Sequence, residues 1–346
     1  MKRICFLVFL LLALAVPAGA EEWTAPEVTG DASSLMPEES GSFGADLWYI
    51  LQSALGDVMP NLRESFAVCL SVVAVLMLVS VLRSFSGQGK AATELATVVL
   101  LSCLLLGSAG SMVDLGAETV DRVSDYMKQL LPVLAAALAA QGGANSSVSL
   151  YTLTAAFDAA AGAAVTGVLV PMVYIFLVLG ILSAAVGDDT VKKLRDTVKS
   201  LLTWVLKTVL YVYMGFLSVT GVVSGTADQA AVKAAKLTIS GAVPVVGGIL
   251  SDASETILVS ASMVKNSVGM YGLTAVVAIC IGPFLRIGAQ YLLLKATTLV
   301  CGLFTEKKAV ALVEDFSAAM GLLLAMTGTV CLLLMISIVC FLKGMG

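Results

Sequence analysis

Long apolar stretches recur through almost the whole chain, at 65–82, 95–113, 163–186, 201–223, 268–294 and 316–342, and they leave few folds open. A helix rises about 1.5 Å per residue, so about 20 such residues cross a hydrocarbon core of about 30 Å. The residues are 59% hydrophobic and 13% charged, against roughly 45–50% and 25% in average soluble proteins. With a mean hydropathy of +0.98, these runs predict an all-α polytopic integral membrane protein with about six transmembrane helices.

The chain opens with Lys2 and Arg3, an apolar run over 4–16, and then the small residues Ala18, Gly19 and Ala20 before Glu21. That order predicts a cleavable signal peptide over 1–20, because its apolar core is too short to span. Between 21 and 57 lie eight carboxylates, several Gly and Pro, and no basic residue. The segment 21–64 therefore reads as an acidic exported tail. Within it, Leu47, Trp48, Ile50, Leu51 and Leu55 recur at helical spacing and predict a short amphipathic helix on the outer membrane face.

Charge sets the orientation. The short segments 83–90, 187–200 and 295–309 hold nine Lys or Arg, while the longer segments 21–64, 114–162 and 224–267 hold six. Cytoplasmic loops carry the excess of basic residues, so the first set is expected inside and the mature N-terminus outside. The expected organisation is thus a leader (1–20), an exported tail (21–64), a transmembrane hairpin (65–113) and two further units, 114–223 with two spans and 224–346 with two or three.

Those last two units carry the marks of a parallel internal repeat. Pro132 and Pro171 are 39 residues apart, as are Pro244 and Pro283, an offset of 112 between the pairs. In each unit an apolar external piece precedes a proline-bearing span, a basic loop and another span. The external pieces, 130–140 and 239–250, are too apolar for free loops and too short to cross, which suits re-entrant or interfacial helices. In the second, Pro244 removes a donor and Gly247 and Gly248 permit a tight bend. Small residues such as Ala163 with Gly167 and Gly221 with Gly225 suit close helix packing.

Candidate chemistry is sparse. The chain has no histidine, the commonest general base and metal ligand, and its seven cysteines form no C-x-x-C pair. No phosphate loop, nucleophile elbow or H-E-x-x-H helix is present, and no basic block suggests nucleic acid. Neither enzyme activity nor a cofactor or metal is expected. Lys207 and Arg286 fall inside predicted spans, where a central cation costs at least about 2.5–3.5 kcal/mol. Each is expected to snorkel toward the cytoplasmic side. Asp158 and Glu94 fall close to span boundaries.

The run Pro244-Val245-Val246-Gly247-Gly248-Ile249-Leu250-Ser251-Asp252-Ala253, followed by Lys265-Asn266-Ser267-Val268-Gly269, resembles the stage III sporulation protein AE family of endospore-forming Firmicutes. The leader, the acidic tail and the spacing of spans are similar too. The resemblance implies a multi-pass protein of the mother-cell membrane around the forespore. There it is a subunit of the channel, or feeding tube, between the two cells, required for late forespore gene expression. Its implied partners are the other membrane and ring-forming proteins of the operon, a cytoplasmic ATPase and a forespore-membrane protein. The family brings no catalytic residue; Pro244, Gly247, Gly248 and Asp252 are marked as structural. The competing expectation is an autonomous permease, which needs a polar site built around residues such as Lys207 or Arg286.

Overall fold

In a computed structural model the described residues are 26–28, 30–37, 43–85, 90–140, 144–219, 267–303 and 307–344. Apart from a 3-10 turn at Gly30–Leu35, they form helices: α1 (Phe43–Phe85), α2 (Lys90–Ala140), α3 (Ala144–Ala164), α4 (Val170–Val186), α5 (Asp189–Val219), α6 (Ser267–Cys301) and α7 (Lys307–Gly344). The signal peptide, the apolar piece 239–250 and the residues Pro244, Gly247, Gly248 and Asp252 lie outside the described residues.

Among the described residues five stretches are long and apolar enough to cross a membrane: Leu62–Leu82, Ala92–Ala137, Tyr151–Val186, Gly269–Cys301 and Lys307–Leu342. The sixth predicted span, 201–223, begins on α5 and runs past the end of the described residues. Contacts fix the helix directions. Glu94 of α2 meets Lys308 of α7, and Gly116 lies beside Leu323 and Thr327, so α2 and α7 run parallel. Arg195 of α5 meets Asp315, and Tyr213 meets Ser337, so α5 also runs with α7. Gly269 of α6 packs on Leu342 and Gly288 on Leu324, which makes α6 antiparallel to α7. Gly180 of α4 packs on Asp315, while Asp158 of α3 reaches Ser337, so α3 and α4 run antiparallel to α7 as well.

The C-terminal helix α7 is the axis of this bundle. Its most apolar window is 89% buried, against 17% for α1. Two equally apolar helices therefore play opposite parts. Helix α7 packs on protein at nearly every turn, whereas α1 presents Leu70, Leu78 and Val81 outward. With Val99 and Leu100 of α2, Val178 of α4 and Leu292 and Leu299 of α6, these side chains form the apolar exterior expected toward lipid. Lipid is itself apolar, so tight packing rather than burial from water holds such helices together. Gly272 accepts Leu130 where a Cβ would collide, and Gly269 accepts Leu342 in the same way. Gly167, expected from its spacing to sit at a close contact, instead faces open space: a Cβ there would meet nothing within 4 Å.

Helix lengths differ from the sequence expectation. Helix α2 has 51 residues, about 75 Å of helix, far more than the hydrocarbon core. Its second half carries exposed Asp114, Glu118, Asp121, Arg122, Asp125 and Lys128, so α2 continues as a polar helix past the apolar girdle. Residues 130–140 are the end of this helix rather than a separate re-entrant piece. Leu130, Leu131 and Leu134 are apolar because they are buried against protein. The short amphipathic helix expected around 45–55 is likewise the start of the 43-residue α1. Its buried face is Asp46, Ile50, Ala54 and Val58, while Leu47, Trp48 and Leu55 are exposed.

The basic segment 187–200 shrinks to a two-residue turn. Gly187 takes a left-handed φ of 75° and donates its N–H to the Ser183 carbonyl, closing α4. Asp188 then caps α5 by accepting the Thr190 N–H at 2.9 Å. Lys192, Lys193 and Arg195 stand on the first turns of α5, where the helix dipole disfavours cations. Asp188, Asp189 and Asp196 offset that cost locally.

The three marked prolines among the described residues sit differently in their helices. Before Pro171 the chain widens into a π segment, Val165–Leu169, whose following Val170 N–H bonds the Val165 carbonyl five residues back. This widening makes room for a ring that would otherwise press on the carbonyl one turn earlier. Pro283 lies within α6, and Pro132 within α2 on an exposed face.

Candidate functional site

A hollow away from the basic turn lies among α1, α2, α6 and the 3-10 turn Gly30–Leu35. It is a cavity of about 620 Å³. Asp57, Glu118, Arg122 and Asp125 line its polar wall, and Gly282, Pro283 and Arg286 line it from α6. A second cavity, about 450 Å³, runs between α1 and α2 past Glu64, Ser65, Ser108 and Ser111, and also reaches Arg286. Arg286 is thus common to both spaces.

Local sequence explains this placement. Pro283 has no N–H to give the Ile279 carbonyl, and Ile279 lines the larger cavity, where a polar wall tolerates a carbonyl freed from its helix. One turn beyond Arg286, Gln290 is 1% exposed and donates Nε2–H to Ser108 Oγ at 3.1 Å. Glu118 holds Arg122 at 2.6 Å on the rim, an exposed i,i+4 pair. The 3-10 turn, drawn from the acidic exported segment, packs Ala32 and Leu35 into the core and so closes one side of the cavity. It is secured by Ser33 and Ser34, whose hydroxyls bond the carbonyls of Gly30 and Asp31.

At the basic end a second set of charges ties helices together. Arg195 bonds both Asp196 and Asp315; Lys308 reaches Glu94 at 3.0 Å, and Lys295 reaches Glu314 at 3.5 Å. These pairs link α5, α2 and α6 to α7. They serve the bundle, since they join opposite charges across helices.

Of the residues singled out in the sequence, Arg286 and Pro283 come together at the cavity. Lys207 does not join them: it is half-buried on α5 and lines neither cavity. Arg286 shares its cavity with Asp57 of α1 and Glu118 of α2. Sequence reading missed Gln290, Asp315 and Ser337. Their signal was present as isolated polar residues in apolar helices, but the partners are 120 to 182 positions away. Among the described residues no cluster of three or more His, Cys, Asp or Glu could hold a metal ion. Six cysteines among the described residues form no disulfide there, and most of them are buried as small apolar side chains.

Long helices packed in alternating directions around a buried axial helix, with an apolar exterior and charged ends, define a multi-pass helical membrane protein. The profile of the stage III sporulation protein AE family matches residues 31–344, and the chain belongs to that family of sporulation proteins. Stage III sporulation protein AE of Bacillus subtilis (strain 168) is 24% identical over 202 residues, which is 58% of this chain and 50% of that protein. The matched stretch therefore spans about half the length of the curated relative. No solved structure matches this chain.

Proposed function

We propose that the chain is a non-enzymatic membrane subunit of the mother-cell to forespore channel complex, required for endospore formation and late forespore gene expression. The observation that carries this reading is the family match, which runs through every described helix. In this reading the basic end of the bundle faces the mother-cell cytoplasm, and the cavity at Arg286 opens toward the space between the two membranes. The operon's ring-forming proteins and a forespore-membrane partner meet the protein on that outer side, and a cytoplasmic ATPase supplies energy from the other. The two proline-marked units, 114–223 and 224–346, are read as copies: α4 with α5, and α6 with α7, each pair a proline-bearing helix followed by one running back.

Deleting the gene tests the proposal. Cells are expected to complete engulfment and then fail to switch on a late forespore reporter. Normal reporter activity and normal spore titres would overturn it.

A second reading, an autonomous permease, is favoured by two cavities that share Arg286 in their walls. It requires solute flux by the purified protein alone in liposomes, abolished by Arg286→Ala. The channel-subunit reading expects none without partners.

A further inference from the structure

Away from Arg286, a buried carboxylate stands without a counter-charge. Asp158 of α3 is 7% exposed. Its Oδ2 has no hydrogen-bond partner, and its Oδ1 meets only Ser337 Oγ of α7, at 3.5 Å. Ser337 has one proton to give, and the Leu333 carbonyl lies 2.9 Å from its oxygen. Tyr213 of α5, stacked on Phe157, is hydrogen-bonded to the same Ser337 oxygen. The contact to Asp158 is therefore too long and too poorly supplied with protons to neutralise a carboxylate. One turn before Asp158 on the same helix face, Thr154 is 0% exposed and its Oγ1 is also without a partner.

Asp158 Oδ2 and Thr154 Oγ1 are thus two hard oxygen donors left unsatisfied one turn apart on α3, and Ser337 Oγ of α7 stands 3.5 Å from Asp158 Oδ1. A neighbouring space of about 120 Å³, lined by Tyr151, Ser124 and Lys128, reaches Asp158. Lys128 does not fill the role of counter-ion, since its ammonium is held 2.7 Å from Asp125 at the surface. A bare buried carboxylate costs several kcal/mol. A cation beside the carboxylate would remove that cost.

We infer that Asp158, Thr154 and Ser337 form a binding site for one sodium ion, with Tyr213 holding Ser337 in place. The charge count sets the valence: one carboxylate and neutral hydroxyls balance a single positive charge, and a divalent ion would leave a buried excess. The spacing sets the size. Two oxygens 3.5 Å apart both reach an ion at about 2.4 Å with a near-right angle between them, a bond length typical of Ca²⁺, whose radius is close to that of Na⁺. Held this way, the ion ties α3 to α7 at a level where among the described residues no ion pair joins them.

The test uses the purified full chain and radioactive ²²Na⁺, with choline chloride holding ionic strength constant. Saturable binding of about one Na⁺ per chain is expected, displaced by unlabelled Na⁺ at lower concentration than by K⁺ or Ca²⁺. Asp158→Asn should abolish it, Thr154→Val should weaken it at least fivefold, and Lys128→Ala should leave it intact. Monodisperse elution of the variants shows that they fold, and Thr154→Val keeps the test decisive should Asp158→Asn not. Absence of saturable binding to the wild-type chain, equal binding to Asp158→Asn or Thr154→Val, or stronger displacement by Ca²⁺ would overturn the inference.

Discussion

Arg195 of α5 places Nη1 2.8 Å from Oδ2 of Asp315 on α7, joining positions 120 residues apart at the basic end of the bundle. The two side chains are only 18% and 12% exposed, so water screens the pair weakly, and Asp315 depends on Arg195 while Arg195 also holds Asp196. Removing Arg195 strips the buried Asp315 of its ion-pair partner, a loss that typically costs about 3–5 kcal/mol, and removing Asp315 leaves Arg195 with Asp196 alone. Asp315→Ala is expected to lower the melting temperature of the purified protein by several degrees. Arg195→Ala with Asp315→Ala together should cost less than the two single changes added. A double-mutant cycle checks this, and strict additivity would mean that the pair is not coupled.

Gly180 of α4 lets Asp315 come this close. A Cβ at that position would sit 3.1 Å from both the Cβ and Oδ2 of Asp315. Gly180→Val should destabilise by about 1–3 kcal/mol through overpacking. Gly167→Ala, where a Cβ meets nothing within 4 Å, should be neutral or slightly stabilising. Thermal melts of the two variants side by side measure the difference.

The polar second half of α2 predicts the topology directly. In a cysteine-free background, Glu118→Cys and Lys128→Cys should react with a membrane-impermeant maleimide in intact cells. Asp189→Cys and Lys193→Cys should react only after lysis. The opposite pattern would invert the orientation drawn from the basic loops.

Arg286 borders both cavities, and its charge rather than its bulk is the feature they share. Arg286→Glu is expected to reduce spore titre at least tenfold while the protein still reaches the membrane. Arg286→Lys should retain most of the function. Counts of heat-resistant spores, with immunoblots of the membrane fraction, provide the readout.

The helical membrane class was legible because apolar runs leave few folds open, and the positions of most spans follow from them. Helix lengths were not. Hydropathy marks where a helix meets lipid, but α1 and α2 continue as helices where polar residues such as Asp57 and Glu118 line a cavity instead. Leu130 and Leu134 looked like part of a membrane-dipping piece because burial against α6 demands the same apolar side chains as lipid does. Lys192 and Arg195 looked like loop residues because charge pattern reports the side of the membrane, not the backbone conformation. At the candidate site, Arg286 and Pro283 could be singled out one at a time. The pairings of Arg195 with Asp315, and of Asp158 with Ser337, arise only when distant helices pack.

A subunit of a multi-protein assembly should be recoverable with its companions from sporulating cells. The tagged chain is purified from cross-linked membranes at the end of engulfment, and the proteins that accompany it are identified by mass spectrometry. The ring-forming proteins and the cytoplasmic ATPase of the same operon, together with a forespore-membrane protein, are expected in the purified material. Recovery of the chain alone, spread evenly through the mother-cell membrane, would contradict its place in the channel complex.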